Sequence, residues 1–88
     1  MFTTCAYADA DYSPAQVREL IDKGEILALS EIQSMHSARL AGRILDVELE
    51  RKRGTLIYEF EVFGKDGVVR EIYINAADGR VLKEEIED

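Results

Sequence analysis

Asp46, Glu48, Glu59, Glu61 and Glu71 recur at alternate positions in three short segments of an 88-residue chain. In extended backbone, alternate side chains share a face, so this spacing would gather the carboxylates into one acidic field. Such a field could bind a divalent cation through oxygen ligands or receive a basic partner surface. It could also discourage sheets from stacking and edges from pairing, and a solvated face is its default reading. Two carboxylates can also hydrolyse a glycoside, but that chemistry needs a cleft that a small flat sheet lacks. His36 and Cys5 are the single histidine and cysteine. They provide no Cys/His metal cluster, no disulfide framework and no nucleophile with an evident base. A helical wheel sets His36 and Arg39 on an apolar stripe with Leu29, Met35 and Leu40. That setting suits either a hydrogen-bonded structural histidine or a pH-sensitive latch between helix and sheet. No catalytic residue and no cofactor is expected, so the chain does not read as an enzyme.

Lys and Arg number 11 against 18 Asp and Glu, a formal charge of −7. Nucleic acid is therefore excluded as a partner, because binding it requires basic surface that releases counterions. The Arg51-Lys52-Arg53 cluster reads as a solvated hairpin tip. No apolar run approaches the ~20 residues of a membrane-spanning helix. A hydrophobic content of 47% supports a packed core rather than a disordered acidic tail. Residues 1–12 are expected to be a disordered tail or a signal-peptide remnant, since Ala6-Tyr7-Ala8 has the small-x-small pattern of a cleavage site without its apolar region. Residues 13–88 are expected to form one domain.

Ser13-Pro14-Ala15-Gln16 has the makings of a helix start: Ser13 as N-cap, Pro14 at the first position and Gln16 closing a capping box. Val17, Leu20 and Ile21 mark the buried side of that helix, and Gly24 ends it. A second box, Ser30-Glu31-Ile32-Gln33, predicts a helix reaching about Leu40. From Arg43 the apolar period becomes two. Three strands follow, Ile44 to Arg51, Leu56 to Phe63 and Val68 to Asn75, with a short fourth from Val81 to Glu84 and a fraying tail. A two-residue turn at Arg53-Gly54 pairs Leu49 with Tyr58, Val47 with Phe60 and Leu45 with Val62. Parity then requires a three-residue loop Lys65-Asp66-Gly67, with Gly67 at positive φ, so that Phe60 meets Ile72 and Tyr58 meets Ile74. The fold class is α+β: two helices, then a three- to four-stranded antiparallel meander. Leu45, Val47, Leu49, Tyr58, Phe60, Val62, Ile72, Ile74 and Leu82 make the face to be covered by the Ser30 helix. The other face carries the acidic field with Tyr73, and an apolar patch of Ile44, Phe63 and Val69 at one end. That patch either lies under the Ser13 helix or is a protein contact. The first strand is an edge able to accept an added strand.

The run from Gly42 to Glu50, the Tyr58-Glu59-Phe60-Glu61-Val62 strand and the ending Tyr73-Ile74-Asn75-Ala76-Ala77-Asp78-Gly79-Arg80-Val81-Leu82 together resemble the PepSY domain. The resemblance covers roughly Ser30 to Leu82, with the Ser13 helix similar to the leader of stand-alone members. It implies a helix followed by an antiparallel meander, no catalytic residues, and a periplasmic or secreted module that regulates a peptidase or an envelope sensor. A protein or peptide partner, or a second copy of the chain, would dock on Ile44, Phe63, Val69 and Tyr73. Divalent-cation binding by the acidic face is the alternative.

Overall fold

The computed structural model describes residues 12–87. Cys5 and the Ala6-Tyr7-Ala8 pattern lie outside them. Helix α1, Pro14–Asp22, starts as its sequence dictates. The Ser13 N–H donates to Gln16 Oε1 at 2.8 Å, and Ser13 Oγ accepts from the Gln16 N–H at 3.3 Å. Its stripe of Val17, Leu20 and Ile21 is half-buried and packs against the central cluster.

Helix α2 covers Leu29–Met35, beginning two residues earlier than expected and ending well before Leu40. Its N-cap is Ala28, not Ser30. The Glu31 carboxylate accepts the Ala28 N–H at 3.0 Å, so the acidic half of a capping box acts without a hydroxyl partner. At His36 the backbone leaves the helical region, with φ −124° and ψ 44°. The His36 ring lies 2.6 Å from the Gly79 carbonyl oxygen, which fixes the residue where the helix stops. The chain continues in turns to Leu40, which is nonetheless buried.

Four strands follow, β1 Arg43–Lys52, β2 Thr55–Phe63, β3 Val69–Asn75 and β4 Val81–Ile86, in one antiparallel sheet ordered β1-β2-β3-β4. Leu49 pairs with Tyr58, Val47 with Phe60, Phe60 with Ile72 and Tyr58 with Ile74, the registers that parity demands. Arg53 and Gly54 both have positive φ, 55° and 82°, as the two-residue turn with the twist of a hairpin needs. In the second hairpin Gly64 N–H donates to Val68 O at 2.8 Å, closing the loop Lys65-Asp66-Gly67, and Gly67 has φ 81°. Asp66 Oδ1 accepts the Val68 N–H at 3.0 Å and braces that loop.

Two bulges change the predicted faces. The register slips between Ile44 and Asp46, so Ile44, not Leu45, opposes Val62. Leu45 is 47% exposed, while Ile44 is half-buried against the core. In β4 the register slips so that Ile74 meets Val81 and Tyr73 meets Lys83. Leu82 is therefore 44% exposed and Val81 takes the core position assigned to it. In each case one extra residue exchanges the faces beyond it. Nor does the tail fray at Glu84: β4 runs to Ile86, and the Glu87 N–H donates to Val69 O at 2.8 Å.

The core joins Ile26, Ile32 and Leu40 to Leu49, Tyr58, Phe60, Val62, Ile72, Ile74 and Ala76. The Leu27 peptide is held from both sides. Its N–H donates to Ala76 O at 2.8 Å, and its carbonyl accepts the Tyr58 hydroxyl at 2.8 Å. Arg39, expected on the covered stripe, is exposed and ion-paired with Glu84. The bulge register is testable by urea denaturation. Phe60→Ala should cost about 3–5 kcal/mol as a large buried ring is lost. Leu45→Ala should stay within about 0.5 kcal/mol, as an exposed site does.

Candidate functional site

Strand pairing extends the acidic face beyond the five carboxylates first identified. Asp46 opposes Glu61, Glu61 opposes Glu71 and Glu71 opposes Glu85, a row of acids crossing all four strands. The adjacent row runs Glu48, Glu59, Tyr73 and Lys83. Asp46, Glu48, Glu50, Glu59, Glu61 and Glu71 line a shallow concavity of about 330 Å³. Carboxylate oxygens of Glu48, Glu50 and Glu59 lie within 4.8 Å of one another. Groups this close either share protons or accept a cation between them.

The electrostatics favour proton sharing near neutral pH. Glu48 is pushed up to about 7, first by its burial and then by Asp46 and Glu50. Glu59 also reaches about 7, through burial, a hydrogen bond with the Glu50 carboxyl, and the charges of Glu50, Glu71 and Glu48. For Glu61, likewise raised to about 7, a hydrogen bond with the Glu87 carboxyl leads, followed by burial and the charges of Glu87, Asp46 and Glu71. Tyr73 donates its hydroxyl to Glu71 Oε1 at 3.1 Å, and burial and neighbouring acids raise its pKa further. Lys52 and Lys83 each hold an ammonium 5.6 Å from the Tyr73 ring centre, and Lys52 also pairs with Glu50 at 3.3 Å. The two lysines thus bring positive charge to one side of the field without neutralising its centre.

The predicted contact patch is only partly assembled. Phe63 and Val69 are register partners on the acidic side of the sheet, and Phe63 is 44% exposed. Tyr73 lies on the same side, within the acidic field. Ile44 does not, because the Leu45 bulge turns it toward the core. Nor does α1 cover the patch: its apolar stripe joins the core cluster instead. Glu50 falls on this face by its parity with Glu48, whereas Glu85 and Glu87 were missed because they required knowing how far β4 extends.

His36 is half-buried, and its Nε2 approaches a carbonyl oxygen, which can only accept. That nitrogen must therefore carry the hydrogen in this contact, which joins the end of α2 to the turn before β4.

These elements define a small α+β domain whose antiparallel meander gives one face to the core and the other to carboxylates. The chain belongs to the PepSY family, described as Peptidase propeptide and YPEB domain, through residues 13–85. It is similar to the uncharacterized protein YkoJ of Bacillus subtilis (strain 168), with 32% identity over 84 residues, covering 93% of this chain and 49% of that protein. The chain thus spans about half the length of this curated relative. No solved structure matches it. PepSY domains are generally non-catalytic, typically extracytoplasmic modules that mediate protein interactions. Among the described residues, no helix is long and apolar enough to cross a membrane.

The raised carboxyls make the fold pH-sensitive in a definite direction. Glu48, Glu59 and Glu61 hold protons more tightly folded, at about 7, than in an unfolded chain, where glutamate titrates near ~4.3. Their contribution is full below about pH 4.3 and is lost as pH rises through about 7. Asp66 works oppositely: its hydrogen bond with Arg70 lowers its pKa, so its contribution is lost on acidification. Solvent screens these partly exposed groups, and even about 1 kcal/mol left after screening gives a Tm about 4–8 °C higher at about pH 5.5 than at about pH 8. Glu59→Gln should raise Tm at the higher pH and flatten the profile. A Tm that climbs steadily with pH in the wild type would refute the arrangement.

Proposed function

We propose that this domain is a non-catalytic periplasmic or secreted binding module that docks a protein or peptide on its outer sheet face and so modulates a peptidase or an envelope sensor. In this reading α2 covers the apolar face, and the carboxylate face stays open for the partner. The observation that carries it is the outer face itself: an exposed Phe63 beside Val69, continuous with rows of carboxylates that repel one another. Like charges opposed across strands cost about 0.2–1 kcal/mol per pair, and a basic partner would relieve that repulsion. Phe63 supplies the desolvated aromatic anchor on which interface energy concentrates. The acids would steer the encounter and set its salt dependence. Membership of a family that mediates protein interactions supports the same conclusion.

Affinity capture from a native envelope extract tests it, with wild type and Phe63→Glu side by side and salt as eluent. Phe63 is exposed, so the variant should keep its circular dichroism and lose the partner. The captured protein's identity then separates peptidase control from sensing, and recovery of the chain itself would identify a homodimer. Equal capture by both proteins would sink the Phe63 surface. Peptidases that stay fully active at high excess of the domain would remove the inhibitory version. Titration with calcium and zinc, followed by calorimetry, gives the cation alternative its own test.

A further inference from the structure

On the core side of the sheet, where the segment before β1 passes the β2–β3 hairpin, lies a cavity of about 300 Å³. Its lining opposes the charge of the whole molecule. Arg39, Lys65 and Arg70 converge on it with Asp66 as the one lining carboxylate, in a chain of formal charge −7. The floor is apolar, made by Val62 and Ile72, with Ala38 and Ala41 on the wall.

The walls are built to stay in place. Gly42, at φ 72°, passes so close to the Phe63 carbonyl that a Cβ there would collide with it. A Cβ on Gly64 would come within 2.8 Å of Asp66 Oδ1 and 3.1 Å of Arg70 Nη1, so glycine is what lets that ion pair tuck against the loop. Arg70 is fixed by Asp66, through Nη2–Oδ2 at 2.9 Å and Nη1–Oδ1 at 3.3 Å, and by Glu84 at 3.6 Å. The other oxygen of Glu84 pairs with Arg39. One carboxylate, Glu84, thus pairs with both of the arginines that line the cavity. Each guanidinium has five N–H donors, and these pairs use only some of them.

We propose that this cavity binds the C-terminal residue of a polypeptide, its carboxylate on Arg39 and Lys65 and its apolar side chain against Ala38 and Ala41, above the floor of Val62 and Ile72. The volume lies at the low end of the ~300–1,000 Å³ of small-ligand sites, which suits one terminal residue and not a long acyl chain. Arginine in a fixed fork matches the planar carboxylate. The site is separate from the Phe63 face, so either can fail without the other.

The test uses the dipeptides acetyl-Ala-Leu and acetyl-Ala-Leu-amide, titrated into the ¹⁵N-labelled domain. The free acid should shift the amides of Ala38, Gly42 and Gly64. The amide form and the variants Arg39→Gln and Lys65→Gln should each bind about 10-fold more weakly, the loss expected of a charge-assisted contact. Both side chains are exposed, so the variants should retain the wild-type spectrum elsewhere. Equal affinity for acid and amide would overturn the proposal, as would shifts confined to the outer face. Decanoate binding more tightly than the dipeptide acid would overturn the polypeptide occupant.

Discussion

A strand has only two faces, so each residue delivered to the core sends its neighbour outward. The central strand β2 shows what this imposes. Tyr58, Phe60 and Val62 are 1%, 0% and 4% exposed, and their placement commits Glu59 and Glu61 to the opposite side. The same alternation in β1 and β3 brings Asp46, Glu48 and Glu71 against them. Burying each large apolar side chain contributes about 1.5–3 kcal/mol, whereas an opposed like-charge pair costs about 0.2–1 kcal/mol. The core therefore wins, and the repulsion persists as a property of the folded surface. Protons taken up by Glu48, Glu59 and Glu61 relieve part of it.

The edges answer a different demand. Among the described residues β1 and β4 are the edges of the sheet, and an edge presents backbone groups that invite another strand. Each carries a bulge, at Leu45 and at Leu82, and each is rich in charge. A bulge bends the strand and breaks the repeat that an added strand would have to match. In β1 the regular stretch left for pairing runs only from Asp46 to Lys52 and presents Glu48, Glu50, Arg51 and Lys52. Both edges are thus poorer templates than the alternation of β1 suggested.

What was legible in the sequence was whatever a period or a turn residue controls. Pairing Phe60 with Ile72 excluded a two-residue turn before Val68, and the Lys65-Asp66-Gly67 loop followed. The bulges were not legible, because alternation has no place for an extra residue until both strands and their turn are known together. Leu45 fits an apolar position as well as Ile44 does, and only the register with Val62 distinguishes them. The start of α2 was obscured for a related reason: Ser30 looks like a cap, but the Glu31 carboxylate reaches the Ala28 N–H and sets the boundary there. Glu85 and Glu87 were hidden because an acidic tail resembles a frayed end until its pairing with β3 is seen. The Arg39, Lys65 and Arg70 cavity is more distant still, since it joins three segments through Glu84.

The two pH-sensitive candidates, His36 and the acidic face, differ in the contacts they make. The His36 ring meets an acceptor at the Gly79 carbonyl, so Nε2 donates and ties the end of α2 to the turn before β4. On the outer face each proton removes a repulsion or makes a carboxyl–carboxyl hydrogen bond, as between Glu61 and Glu87. Losing it restores the repulsion that Glu48, Glu59 and Glu61 meet from their neighbours. The sheet surface therefore carries a response to pH through Glu48, Glu59 and Glu61, and His36 anchors the helix end through the Gly79 carbonyl.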